Sequence, residues 1–327
     1  MRRRTFITLV AAAASLPVAT NAQQTRKVPR VGVLWHAGSA EEEAVYLTVL
    51  QKSFNDLGYI EGKTITLEHR FPAEQPERFR LFARELVDSK VDVIIAVTSV
   101  GVKVTKELTQ TIPIVGVLQP NPVGDGLIES LAHPGGNVTG LSLMGPDLSG
   151  KRLALLKEMV PTLSRFALLV DPSNPASLQV IAPYSAAAEK LGLQLEVLNL
   201  SDPSLIDQVF ASIADRGFDG VVLGPAPMIF NERARIVAAA LAHKLPTEVF
   251  TAEMMPFGGL LSYAPDIKDY FRRAAEFTDK ILKGAKPADL PVEQPAQFKM
   301  VISAKVAKTL GLTIPPSLLS TADEVIE

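Results

Sequence analysis

The sequence predicts an α/β protein of two lobes, each a parallel sheet flanked by helices, joined by a hinge of several strands. Three observations predict it. Short apolar, β-branched runs alternate with amphipathic stretches of helical period, the pattern of a doubly wound sheet. The same order of elements returns after about 130 residues, the size of one domain. One strand–helix unit is left over after the second round, which implies that the chain crosses back.

The first round opens with an apolar strand at 31–35 and a loop at 36–40. Ser39 with Glu42 forms a capping-box pair, and Glu41, Glu42 and Glu43 place negative charge at a helix start. The helix runs to about residue 57 with Tyr46, Val49, Leu50 and Phe54 on one stripe, and Gly58 stops it. Residues 64–69 alternate as a second strand. Pro76 suits a first helical position, and Phe79, Phe82, Ala83, Leu86 and Val87 then mark one helical face. A strongly apolar strand at 91–97 delivers Thr98 and Ser99, placed to cap a helix over 100–108. The run 114–118 reads as a buried strand that empties into a Pro/Asn/Gly loop at 119–125. A turn or two at 127–131, a His-Pro-Gly-Gly break at 133–136 and an extended run at 138–143 follow, the last read as a hinge strand.

The second round has strands at 166–170, 193–200, 221–224 and near 249, each echoing a partner in the first. An extended run at 258–263 precedes a helix carrying Phe271, Ala274, Ala275, Thr278, Ile281 and Leu282 on one face and ended by Gly284. A Pro-rich passage at 287–295, a strand at 300–303 and a helix around 305–310 close the chain. The expected lobes are 28–142 with 264–292, and 143–263 with 293–327.

Composition narrows the functional classes. With 47% hydrophobic and 21% charged residues in 327, the chain is an ordinary globular protein. A formal net charge of −2 gives no electrostatic footprint for nucleic acid. There is no cysteine, which excludes disulfides, thiolate metal sites, thiol catalysis and a lipidated cysteine anchor. Residues 1–22 read as an export signal: Arg2, Arg3 and Arg4, a short apolar run, then small residues before Gln23. The Arg-Arg pair is compatible with twin-arginine export as well as ordinary secretion. The expected location is the periplasm, with no lipid anchor.

Ligands of open α/β sheets bind at the carboxyl ends of the strands, so candidate site residues are read there. Thr98 and Ser99 offer hydroxyls and free backbone N–H groups to an anion at a helix start. Trp35, the only tryptophan, and His36 sit at the first strand's exit, Trp35 as a platform for a ring or aliphatic chain. Gln119 and Asn121 add amide groups from the loop after the fourth strand. Asp171, Asn174, Pro225, Ala226, Glu253 and Tyr263 occupy equivalent exits in the second lobe, where Asp171 or Glu253 could hold a cationic group. Nucleophile-elbow, zincin, P-loop and dinucleotide motifs are all missing, and the four histidines show no ligand spacing. Neither an enzyme nor a cofactor or metal is expected.

Residues 290–327, with 126–143, Ser149-Gly150-Lys151-Arg152, the pattern at 57–62 and the Arg-rich leader, resemble bacterial ABC-transporter substrate-binding proteins of the tryptophan/tyrosine-transport-like type. The resemblance implies a type I periplasmic-binding-protein fold: two Rossmann-like lobes, three crossovers and a ligand closed between them. It also implies a monomeric receptor for a small solute, an amino acid or related small carboxylate, served by a membrane permease and an ATPase. Where the family's cleft loop reads Asp-Pro-Val-Gly, this chain has Asn121-Pro122-Val123-Gly124. A signalling sensor domain and a periplasmic enzyme on the same scaffold are the alternative classes.

Overall fold

The computed structural model describes residues 28–143, 148–295 and 297–327, so the export signal read at 1–22 lies outside the described residues. The first sheet holds β1 (Arg30–Leu34), β2 (Thr66–Arg70), β3 (Val93–Val97), β4 (Ile114–Gln119) and β5 (Val138–Ser142), in the order β2-β1-β3-β4-β5. All its pairings are parallel. Helices α1 (Ala44–Asp56), α2 (Pro76–Asp88) and α3 (Thr98–Leu108) connect these strands. After β5 come α4 (Ser149–Met159), β6 (Arg165–Val170), α5 (Pro175–Gln179), α6 (Ile181–Leu191) and β7 (Gln194–Asn199). Next are α7 (Ile206–Asp215), β8 (Gly220–Leu223), α8 (Pro227–Asn231), α9 (Arg233–Ala242), β9 (Thr247–Val249) and β10 (Leu261–Pro265). The chain closes with α10 (Ile267–Leu282), β11 (Phe298–Ser303), α11 (Ala304–Thr309), α12 (Pro316–Thr321) and β12 (Glu324–Ile326). The second sheet runs β12-β11-β10-β9-β8-β6-β7, parallel except where β10 meets β11.

The left-over helix read in the sequence explains the crossing. Tyr270, Phe271, Ala274, Ala275, Phe277 and Ile281 of α10 are buried with β1, β3 and α1 residues in one core of the first sheet. Two alanines at the centre of that stripe let the helix approach the strands closely. The chain therefore leaves the second sheet after β10, covers the first, and returns as β11. On its way back it pairs beside β5: Ser142 donates its N–H to Glu293 O at 2.8 Å and Glu293 its own to Gly140 O at 2.9 Å. The Thr139 hydroxyl donates to Leu290 O at 2.6 Å.

Boundaries differ from the sequence reading where turns intervene. The second strand starts at Thr66, because 60–64 fold into a turn in which Thr64 Oγ1 accepts from the Ile60 N–H at 2.7 Å. The turns lie at 122–126, and residues 127–131 run on through bends in which Leu127 and Ile128 are buried. Helix α3 begins at Thr98 itself, so Thr98 and Ser99 lie inside its first turn and do not cap it. Thr98 has φ +67°, and Leu118 at the end of β4 has φ +59°. A left-handed β-branched residue is strained, and strain of this kind collects at functional sites.

The register of β4 on β5 shifts between Gly116 and Gln119, and glycine is required there. At Gly140 φ is +129°, and an added Cβ would lie 2.1 Å from the Gly116 carbonyl oxygen. We expect Gly140→Ala to cost at least about 2 kcal/mol in urea unfolding, from forbidden backbone plus overlap. A loss below about 0.5 kcal/mol, the level of an indifferent surface change, would show that the strands do not approach this closely.

Candidate functional site

The carboxyl ends of both sheets face a common cleft that holds a cavity of about 180 Å³. Its lining is mainly apolar, with Tyr46, Leu118, Phe230, Phe250 and Ile267 supplying bulk from both sides. Tyr46 spans the gap: its ring stacks on Phe271 at 4.9 Å and faces Phe230 at 6.1 Å. Thr251 lines the same cavity and donates to the Glu253 carboxylate.

Of the residues chosen from the sequence, His36, Thr98, Ser99, Asn174, Pro225 and Ala226 line this cavity. Ser99 Oγ donates to Asp125 Oδ2 at 3.0 Å, tying α3 to the loop after β4. Asn174 Oδ1 accepts from the N–H groups of Ala176 and Ser177, so it also starts α5.

The other six are placed elsewhere. Trp35 is fully buried, stacked on Phe271 at 5.3 Å and Phe71 at 6.2 Å, and is no platform. The reason is strand alternation: Trp35 N–H still bonds to Arg70 O, so Trp35 shares the core face of Val31 and Val33. Its Nε1 donates to His69 Nδ1 at 3.0 Å, and burial lowers the His69 pKa, keeping that ring a neutral acceptor. Gln119 folds under its own strand, against the space a Cβ at Gly116 would fill. Asn121 lies at a separate opening beside the hinge, and its Oδ1 accepts from the Gly124 N–H at 3.0 Å. That turn role suits Asn or Asp alike. Asp171 accepts from the Ser173 N–H and hydroxyl at 2.9 and 2.7 Å, which holds its carboxylate in its own loop. Glu253 is spent on Thr251. The Tyr263 ring stacks on Phe298 at 5.8 Å, and only its backbone carbonyl turns toward the site.

Sequence reasoning passed over three lining residues of consequence. Tyr46 was read as helix core, Asp125 as turn, and Arg152 as part of a family motif without a role. Arg152 was the one with a signal, since an arginine in the first turn of a helix opposes the dipole there.

Charge in the cleft is concentrated at two buried groups. His36 is 7% exposed, with Nδ1 at 2.7 Å from Glu74 and Nε2 at 3.2 Å from Glu43. Residues Ala73 and Glu74 both have positive φ, which curls the 71–75 loop so that Glu74 meets the ring. Burial opposes a charged ring, but Glu43 and then Glu74 outweigh it and raise the pKa from 6.5 to about 9. In the second lobe Arg152 lies 3.5 Å from Glu248, itself fully buried. Desolvation pushes the Glu248 carboxyl up to about 7, against the pull of Arg152.

A family model described as ABC transporter substrate binding protein matches residues 39–326. The chain belongs to that family. A tyrosine-binding protein of Clostridioides difficile strain R20291 is 23% identical over 262 residues, covering 80% of this chain and 75% of that one. The structure of a Streptococcus pneumoniae ABC domain in complex with L-Trp superposes with a TM-score of 0.83 at 26% identity, over 91% of this chain and 99% of the other. A conserved domain protein of Vibrio cholerae O1 biovar El Tor N16961 gives 0.84 at 24% identity, over 91% and 100%. The fold is accordingly that of type I periplasmic binding proteins. Among the described residues no helix is long and apolar enough to cross a membrane, and no cluster could hold a metal ion.

A raised histidine pKa makes stability depend on pH with a definite sign. The ring's contribution is complete below its unfolded value of 6.5 and is lost as pH rises toward about 9. Urea midpoints should therefore fall across that window, and less steeply in Glu74→Gln, which removes one carboxylate. An identical slope in the variant would mean that Glu74 does not hold the proton on His36.

Proposed function

We propose that this chain is an exported receptor that closes its lobes around an aromatic amino acid and delivers it to the permease and ATPase of an ABC importer. The carrying observation is the cavity between the lobes, walled by rings and open to polar groups at the strand exits. Its size favours a ring: an apolar cavity of about 150 Å³ accommodates benzene, and this one is about 180 Å³. The tyrosine- and tryptophan-binding relatives support the same class.

Energetics require the polar end as well. Binding near 1 μM needs about −8.2 kcal/mol. Burying a ring of ~150 Å² supplies about 4 kcal/mol at ~25 cal/mol/Å². Charge-assisted hydrogen bonds, worth roughly 1.5–3 kcal/mol each, must bring the rest. The backbone N–H groups of the first turn of α3 and the Thr98 hydroxyl are the first lobe's donors to the ligand's carboxylate, and the Ser99 hydroxyl joins them by releasing Asp125.

Thermal shift across the amino acids should single out tryptophan, tyrosine or phenylalanine, because a bound ligand stabilises the native state by RT ln(1 + [L]/Kd). Calorimetry on the Thr98→Ala, Ser99→Ala double variant should show binding at least about tenfold weaker. Unchanged affinity would move the anion site off α3, and no shift with any aromatic amino acid would overturn the ligand class.

The Arg-rich start and apolar run of residues 1–22 support export to the periplasm. Protein recovered from its native host should begin near Gln23 on N-terminal sequencing; an intact Met1 would contradict it.

A further inference from the structure

Arg152 sits in the first turn of α4, is 3% exposed and nevertheless lines the cavity. A guanidinium is always charged, and burying one is costly unless it is paired and hydrogen-bonded. The structure satisfies it only in part. Its Nε donates to the Tyr263 carbonyl at 2.8 Å and Nη2 to the Phe250 carbonyl at 3.2 Å. These two contacts, from the middle of β10 and from the residue after β9, set the plane of the fork. They do not neutralise it.

The counter-charge is Glu248 of β9, 3.5 Å from Nε. Its Oε1 makes no hydrogen bond within the protein, and its Oε2 meets the Tyr184 hydroxyl of α6 at 3.4 Å. The pair is thus an ion pair at the limit of contact, set behind the cavity wall. Desolvation raises the Glu248 carboxyl, against the pull of Arg152, so the counter-charge it offers is weakened by its own burial. The other lining cation, His36, is already faced by two carboxylates. Among the described lining residues, Arg152 is the cation whose charge remains incompletely answered.

We propose that Arg152 is the second lobe's binding residue for the carboxylate of the amino-acid ligand, with Glu248 and two backbone carbonyls orienting its fork from behind. The assignment rests on the amino-acid reading above and deepens it. A planar guanidinium accepts a carboxylate with two parallel N–H···O bonds, which a lysine cannot reproduce. Because its plane is set before the ligand arrives, little rotamer freedom is lost on binding. Carboxylate contacts from α3 in one lobe and from Arg152 in the other would also couple recognition to closure, since a ligand lacking the carboxylate forfeits both.

The test is calorimetry with L-tryptophan and L-tryptophanamide, which differ at the carboxylate. Wild-type protein should prefer the acid. Removing the cation alone would strand Glu248, so the main variant is the neutral pair Arg152→Gln with Glu248→Gln, its folding verified by circular dichroism and thermal melting. Its acid-over-amide ratio should fall by about tenfold or more. Arg152→Lys, which retains charge without the fork, should fall between and serves if the neutral pair does not fold. An undiminished ratio in either folded variant, or no preference in the wild type, overturns the role of Arg152 while leaving the aromatic amino-acid reading in place. A wild type that binds tryptophanamide but no aromatic amino acid overturns both.

Discussion

The buried stripe of α10 against the first sheet is the contact on which the remaining architecture depends. Its apolar residues have nowhere to go in the second lobe, whose sheet is already covered by α4 and α6 on one face and α7 and α9 on the other. Burying Phe271, Phe277 and Ile281 with β1, β3 and α1 releases the usual 1.5–3 kcal/mol per large side chain. The chain must then cross the cleft to do so and cross again to place β11. Connections made of a few backbone segments are where hinge motion between lobes is absorbed in general. The backbone bonds linking Gly140, Ser142 and Glu293 bind two of these crossings together.

The cleft follows from that arrangement. Parallel strands all end on the same side of a sheet, so both lobes turn their strand exits, helix starts and irregular loops toward each other. Apolar bulk comes from residues that rise out of helices or loops, such as Tyr46 and Phe230, and polarity comes from the first turns of α3 and α4. The two buried charges are arranged differently. His36 is balanced by Glu43 and Glu74 within the first lobe, whereas Arg152 depends on one distant carboxylate and two carbonyls. The two lobes thus place their buried charge in different surroundings beside one apolar cavity.

Local sequence carried most of the fold. Apolar runs located eleven of the twelve described strands, because most are buried on both faces, and the 3.6 period located α1, α2, α3, α10 and α11, while the six described helices between β5 and β10 were not placed. The stripe at Phe271, Ala274 and Ala275 even exposed the return crossing, as a helix too many for its lobe. Local pattern misled at the start of α3, where Thr98 adopts a left-handed backbone that no pattern of residue types signals.

The site was legible as a place and only partly as a set of side chains. The sequence by itself determined that functional groups gather at strand exits, since that follows from parallel topology, and it located Thr98, Ser99, His36 and Asn174 there. Tertiary structure alone decided which way each exit residue points. Trp35 continues its strand's alternation into the core, Asp171 closes on its own loop, and Tyr263 presents a carbonyl in place of its ring. Arg152 becomes a cavity residue only because Tyr263, Phe250 and Glu248, each about a hundred residues away in the chain, meet around it. Side-chain direction at a strand's end depends on such long-range neighbours, and those neighbours exist only in the folded molecule.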